Sequence, residues 1–511
     1  MKKYFFLLLF CCFSLTKSYS QNSKFAVRGF HLDLRIQVMP MPALKMFAKK
    51  LNEQGINTLI MEWEGTYPFE KHPLIPNRYA YTKAEIVGFI KYCNTLGIDV
   101  IPLQQSFGHV EYILRNSKYK DLREDQKDYS QVCPLQITQD SLLFSDLYKE
   151  LASTHTSKYI HIGGDETYLL GHDERCRKRV AEVGKSRLYI DYIRMLCNIV
   201  IRLGKQPVMW ADIALKYPEA ISLLPKGTIL VDWNYGWDMD NFGEHKKLVE
   251  SGLEIWGAPA IRSYPDNYFL TMWDKHFKNI RDFVPACRQL GYKGMVMTSW
   301  STSGGYSTVM ETEENILDLY AIRHVYPISG YNMLMSAYAE SLKIDQPLAI
   351  DQFVISYAEK QFGFNQQQAK LFWIASKTAP LQVVQGKVIS EEPISIKQLL
   401  DSAQHANEIL TRLKPVKNPE EFEHYRLMNT IRVNYLTYET IEAEVNSPDF
   451  HQTQIPKILL RLKLLITKQA QVDQKFKQLN AAFLYSGQLA EEKHLRDDKA
   501  VLLYNRLNRQ K

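Results

Sequence analysis

Two adjacent carboxylates behind a pair of glycines, His161-Ile162-Gly163-Gly164-Asp165-Glu166, are the residues of this sequence best suited to chemistry. An apolar run leads into them, and glycine permits the tight turn and close ligand approach that such a junction needs. Glycoside hydrolysis uses one carboxyl group as a proton donor and another to balance positive charge on the sugar. Crowding two carboxylates into a partly dry pocket raises the pKa of at least one, which keeps it protonated near neutral pH. An isolated Asp-Glu dipeptide equally describes a solvated turn, so the reading depends on the scaffold around it.

From about residue 25 to 340, short apolar runs alternate with amphipathic segments. Strands are expected at 27–34, 58–64, 99–106, 159–163, 206–210, 229–233, 254–258 and 294–300. Helical spacing of apolar residues between them is clearest at 42–54, 83–96 and 189–203. Eight strand–helix units close naturally into a parallel barrel, so the fold class is α/β, a (β/α)8 TIM barrel. Each run meets polar residues at its C-terminal end: Asp33, Glu62 with Glu64, Gln104 with Gln105, Asp165 with Glu166, Asp212, Asn234 with Tyr235, and Ser301. Barrel enzymes build their active site at that end, and unpaired carboxylates buried for packing alone would be costly. Beyond residue 343 the strand signals fade. Helical segments at 395–413 and 420–445, and the stripe Ile458, Leu462, Leu465, Val472, Phe476, Leu479, Phe483, indicate an α-helical C-terminal domain over 344–511.

The chain has 511 residues, room for a barrel over 21–343 and that second domain. Lys2 and Lys3 precede the apolar run Tyr4 to Leu15, and Ser18-Tyr19-Ser20 offers small residues for cleavage. Residues 1–20 therefore read as a signal peptide, too short for a stable membrane span, and the mature protein is expected to be exported, periplasmic or secreted, rather than lipid-anchored. Cys11 and Cys12 would leave with it. Cys93, Cys133, Cys176, Cys197 and Cys287 are scattered without CxxC spacing, which gives no zinc site but leaves one or two disulfides possible. The formal charge of +7 is dispersed among acidic residues, so no nucleic-acid partner is expected. There is no HExxH and no phosphate-binding glycine loop; Ser303-Gly304-Gly305 reads as a mouth loop. No metal or cofactor is expected.

HIGGDE resembles the signature of family 20 glycoside hydrolases, the β-N-acetylhexosaminidases. Arg28-Gly29-Phe30-His31-Leu32-Asp33, Glu62-Trp63-Glu64, Ile101 through His109, Pro207 through Asp212, Trp233-Asn234-Tyr235 and Thr298-Ser299-Trp300 continue the likeness in order, closest to the hexosaminidase D-like branch. The resemblance implies a carbohydrate substrate with a terminal β-linked N-acetylhexosamine and substrate-assisted retaining hydrolysis, in which the sugar's acetamido oxygen is the nucleophile. Glu166 would then be the acid/base, Asp165 would orient the acetamido N–H, and Tyr235 would donate to the acetamido oxygen. It further implies sugar contacts from Arg28, Glu64, His109, Trp210, Asp212, Trp233 and Trp300. Gln105, Phe107 and Ser301-Thr302 depart from the larger family pattern and leave the choice between GlcNAc and GalNAc open. Two other readings stand beside it: a two-carboxylate retaining glycosidase with Glu62 or Glu64 as nucleophile, and a non-catalytic sugar-binding barrel. Natural glycan, linkage and oligomeric state are not encoded legibly.

Overall fold

The computed structural model describes residues 25–241, 243–266, 270–301, 325–384 and 386–510. The expected signal peptide, Cys11, Cys12, Thr302 and the loop Ser303-Gly304-Gly305 lie outside the described residues. Eight strands form the barrel: β1 (Val27–Asp33), β2 (Thr58–Glu62), β3 (Asp99–Leu103), β4 (Tyr159–His161), β5 (Gln206–Trp210), β6 (Ile229–Trp233), β7 (Glu254–Ala258) and β8 (Gly294–Ser299). Each pairs in parallel with the next, and β8 pairs back with β1, so the sheet is closed. The register sets Asp33 opposite Glu62, Glu62 opposite Leu103 and Leu103 opposite His161. The functional strand ends are therefore level with one another.

Side chains obey the two-residue period of a strand. Ile60, Ile101, Leu103, Val208, Trp210, Ile229, Val231 and Trp233 fill the barrel interior. Their neighbours Leu59, Met61, Val100, Met209 and Leu230 face the surrounding helices. Several strands stop earlier than their apolar runs suggest, for local reasons. β2 ends because Glu64 adopts φ +44° and opens the short turn Glu64–Thr66. β4 ends because Gly163 and Gly164 take φ +74° and +95°, a region open to glycine at little cost. The helix following β4, Glu174–Arg202, begins well before the amphipathic stretch at 189–203 and is interrupted at Gly184.

From Ile350 onward the chain is mainly helical. Three long helices, Ile396–Arg412, Pro419–Val445 and Ile455–Asn480, stack in sequence, and the last, Ser486–Asn508, folds back on its predecessor. The apolar stripe lies on Ile455–Asn480, with Phe483 just past its end. Phe362, Phe364, Phe372 and Phe422 form an aromatic cluster continuous with the barrel's outer core through Tyr425 and Trp273, whose ring centroids are 5.6 Å apart. The final helix reaches the segment after β1: Gln488 accepts from the Val38 amide at 3.2 Å and donates to the Ile36 carbonyl at 2.5 Å, and Gln37 donates to Glu492 at 2.9 Å. The helical region thus braces the chain that emerges from β1 at the barrel mouth. Among the described residues no helix is long and apolar enough to cross a membrane.

Phe422 is fully buried in that cluster. Phe422→Ala should destabilise the protein by about 3–5 kcal/mol through lost burial and the cavity left behind. Urea unfolding measures this, and a change below about 1 kcal/mol would mean the cluster is not part of the cooperative core.

Candidate active site at the barrel mouth

Glu62 ends β2 pointing inward, fully buried. His31 Nε2 lies 2.8 Å from Glu62 Oε2, while Arg35 donates to Oε1 at 2.5 Å and Gln105 donates to the same oxygen at 3.1 Å. Arg35 also lies 3.1 Å from Glu64 and 3.8 Å from Asp33. Burial alone would raise the Glu62 pKa, but Arg35 and His31 outweigh it and hold this carboxyl well below the usual range. Glu64 goes the other way. Burial, reinforced by Glu62, Asp33 and Glu111, overcomes Arg35 and raises it well above an ordinary glutamate. Arg35 keeps its charge despite burial because Glu64, Glu62, Asp33 and Glu111 surround it.

Asp165 and Glu166 flank a single imidazole. His109 Nε2 lies 3.4 Å from Asp165 Oδ2 and 3.1 Å from Glu166 Oε2. The backbone is shaped for this meeting. His109 and Glu166 have φ +56° and +48°, and a Cβ on Gly108 would come within 2.4 Å of the Asp165 carbonyl oxygen. A Cβ on Gly163 would strike Gln105 Oε1 at 2.0 Å, and the Gly163 amide donates to His161 Nδ1 at 3.1 Å. Burial opposes a charge on His109, but Asp165 and Glu166 raise its pKa well above that of a free histidine. Burial would raise Glu166, yet His109 and the Tyr168 hydroxyl, which donates to Oε1 at 3.2 Å, bring it below the ordinary value. The expectation that a member of the pair itself is raised is therefore not met for Glu166; the imidazolium between the two acids reverses it. Beside the pair, Asp212 is raised instead, pushed up to about 8 by burial and by Asp165.

Asp212 extends the site toward the aromatic side. It accepts the Glu166 amide at 3.1 Å and Trp233 Nε1 at 3.2 Å. The Trp233 ring lies 4.9 Å from that of Tyr235, whose hydroxyl accepts Trp300 Nε1 at 3.0 Å. Burial first, with Asp165 and Glu166 adding to it, raises the Tyr235 pKa, so its hydroxyl keeps its proton. Trp210 is fully buried beneath, against His161 at 4.5 Å and Trp300 at 6.0 Å, so it is a floor rather than a wall. Among the described residues Asp165 Oδ1 and Trp210 Nε1 are buried without a hydrogen-bond partner. A separate cleft of about 540 Å³ between the barrel and the C-terminal helices, lined by Met46, Lys50, Asn332 and His424, contains none of these groups.

Nine of the ten expected residues thus gather at the mouth: Asp165, Glu166, Tyr235, Glu64, His109, Trp210, Asp212, Trp233 and Trp300. Arg28 does not. Its Nε donates to the Gly55 carbonyl at 2.8 Å and Nη1 to the Phe25 carbonyl at 3.2 Å, at the opposite end of the barrel. It stands five residues before Asp33, about 17 Å at the rise of a strand, and shares the outward parity of Phe30 and Leu32. The arginine at the mouth is Arg35, which sequence reasoning missed along with His31, Glu111 and Tyr168. Parity was the available signal, since Gly29, His31 and Asp33 alternate inward and Arg35 continues the series. Glu62 enters as an ionised anchor for Arg35.

A model of the glycosyl hydrolase family 20 catalytic domain matches residues 31–317. The chain is 26% identical to hexosaminidase D of Bos taurus over 306 residues, covering 56% of this chain and 87% of that protein. It is 26% identical to human hexosaminidase D over 310 residues, 57% of this chain and 63% of the relative. A crystal structure of a β-N-acetylhexosaminidase from Bacteroides fragilis has the same fold, with TM-score 0.50 and 19% identity over 67% of this chain and 72% of that one.

Two stability measurements test the electrostatics. Arg35→Met leaves buried Glu62 and Glu64 facing each other and should cost about 3–5 kcal/mol in urea unfolding, against about 1–2 kcal/mol for Arg28→Ala, which loses only two carbonyl bonds; equal costs would refute the assignment of the mouth cation. Because His109 binds its proton more tightly folded than unfolded, its stabilisation is complete below about pH 6.5 and lost as pH rises through the folded pKa. Tm should fall over that range in the wild type and less steeply in His109→Asn; parallel profiles would remove the imidazolium.

Proposed function

The chain belongs to glycosyl hydrolase family 20, and from that premise we propose that it is an exo-acting β-N-acetylhexosaminidase releasing terminal GlcNAc or GalNAc, with the substrate's own acetamido oxygen as nucleophile. The observation that carries the reading is the placement of Asp165 and Glu166 on two sides of His109, joined through Asp212 to Trp233 and Tyr235. Asp165 Oδ1 is an unspent buried acceptor, suited to the acetamido N–H. The Tyr235 hydroxyl retains its proton and suits the acetamido carbonyl oxygen. Orienting that oxygen beneath the anomeric carbon makes attack intramolecular, with a large effective concentration.

Glu166 delivers the proton as the anomeric C–O bond breaks and the acetamido oxygen closes on C1. The proton is held between His109 Nε2 and Glu166 Oε2, 3.1 Å apart. With water excluded by the bound ring, transfer from imidazolium to carboxylate and on to the leaving oxygen needs no outside donor. Glu166 then takes a proton from the water that opens the oxazolinium ring. Balancing of its N–H charge falls to Asp165.

Neither alternative nucleophile fits as well. Glu62 is tied by His31, Arg35 and Gln105, and burial raises the Glu64 pKa against the ionised form a nucleophile needs. A purely binding barrel would have no need for an acid/base beside a raised histidine. The proposal includes export to an oxidising compartment, on the strength of residues 1–20.

Glu166→Gln should lower kcat/KM by about 10²–10⁴-fold on glycosides with poor leaving groups, far less on activated aryl glycosides, with sugar affinity retained; wild-type turnover on both excludes the assignment. Comparing aryl β-GlcNAc, β-GalNAc and β-glucoside tests the need for the acetamido group, and equal rates on the glucoside would defeat substrate assistance. The active form carries the His109 and Asp212 protons, so kcat/KM should hold up to near pH 8 and decline above it. A decline centred at pH 6.5 or lower would contradict this.

A further inference from the structure

The loop carrying Glu166 is held from behind by a contact that the reaction does not use. After Tyr168 the chain docks on the two-stranded hairpin Arg123–Asp125 and Asp128–Val132 that follows β3. Gln131 Oε1 accepts the Leu169 amide at 3.0 Å, and Glu124 Oε1 accepts the amides of Gly171 and Asp173 at 2.8 and 3.2 Å. At the far end of this contact stand two thiols. Cys133 directly follows the hairpin, and Cys176 lies in the first turn of Glu174–Arg202. Both are fully buried, and their sulfurs are 3.2 Å apart.

We propose that Cys133 and Cys176 close into a disulfide in the exported protein and that this crosslink clamps the acid/base loop to the hairpin. Two S–H bonds are lost and one S–S bond forms; two protons and two electrons pass to a protein disulfide oxidant, which is reduced to its dithiol. Closure requires the sulfurs to approach by about 1.2 Å, within the reach of side-chain rotation. Oxidation during folding is the natural order, because the folded core seals both sulfurs from any oxidant.

A metal is the competing occupant, since Glu124, Cys133 and Cys176 present ligand atoms within 4.8 Å of one another. Two observations count against it, although Glu124 leaves Oε2 unpartnered among the described residues. Zinc–thiolate bonds of about 2.3 Å at the tetrahedral angle hold two sulfurs about 3.8 Å apart, wider than the 3.2 Å seen here. Arg175 places its guanidinium 4.0 Å from the Cys133 sulfur, where it would oppose a second cation. The clamp has a mechanical purpose as well. Glu166 itself sits at φ +48°, a conformation its surroundings must impose.

The test uses the full chain exported to an oxidising compartment, quenched in acid, denatured and labelled with N-ethylmaleimide without reductant. Peptide mapping should find Cys133 joined to Cys176, two hydrogens lighter than the separate peptides, with Cys93, Cys197 and Cys287 labelled. Label on both Cys133 and Cys176, with or without one equivalent of zinc by elemental analysis, overturns the proposal. Cys133→Ser and Cys176→Ser should each lower Tm by several degrees, and the double variant no further, because either single change already removes the link; additive losses overturn it too. The clamp's consequence for catalysis rests on the proposed glycosidase reading, but the peptide map requires no turnover, so the two fail independently.

Discussion

Carboxylates from five separate segments meet, largely buried, at one end of this barrel, and their mutual repulsion is the constraint that organises the site. Asp33, Glu62, Glu64, Glu111, Asp165 and Asp212 are all buried, and Glu166 is only partly exposed. Such a group cannot be uniformly ionised. The protein divides it around two cations. Arg35 holds the Glu62 pKa down while burial raises that of Glu64, and His109 holds Glu166 down while Asp212 stays neutral up to about pH 8. Chemically similar groups thereby acquire different protonation states, which is what lets neighbouring acids play different parts.

Holding that pattern requires backbone in conformations that side chains resist. Glu64, His109 and Glu166, all at the mouth, have positive φ, and such residues cost of the order of 1–3 kcal/mol each. The cost is met by packing around them. Gly108 lets the His109 turn approach the Asp165 carbonyl, and Glu124 and Gln131 fix the chain beyond Glu166. On the opposite side the last helix of the C-terminal region holds Ile36 to Val38 through Gln488 and Glu492, and so fixes the exit of Arg35. The helical region is thereby joined mechanically to the barrel mouth, although none of the site residues named above belongs to it.

How much of this the sequence discloses depends on the range of the interaction. Strand identity follows from local apolar runs, and all eight barrel strands fall where those runs lie. Their ends do not, since β2 and β4 terminate at turns set by Glu64 and by the two glycines rather than by hydrophobicity. The carboxylate pair is legible because it sits beside its own glycines. Its protonation is not, because the deciding charge, His109, arrives from the loop after β3. Arg28 illustrates the same limit from the other side: a likeness of motif pointed to it, whereas strand parity, equally present in the sequence, favours Arg35. The proximity of Cys133 and Cys176 likewise depends on the hairpin and helix being brought together, which no spacing along the chain reveals.

The charge pattern also bears on why the proposed reaction would borrow its nucleophile from the substrate. A protein nucleophile must be ionised, unencumbered and free to approach the anomeric carbon. Glu62 is ionised but bound on both oxygens. Burial raises Glu64 and Asp212 against ionisation, and Glu166 is already engaged by His109 at 3.1 Å. Asp165 has a spare oxygen, yet its other oxygen faces His109 and its backbone is wedged against Gly108. A short side chain so confined can accept a hydrogen bond and balance a positive charge more readily than it can form a covalent bond and release it again. In the proposed reaction a mouth built this way would stabilise a cation that the sugar generates within itself, and the repulsion that raises Glu64 and Asp212 would be relieved as that cation forms.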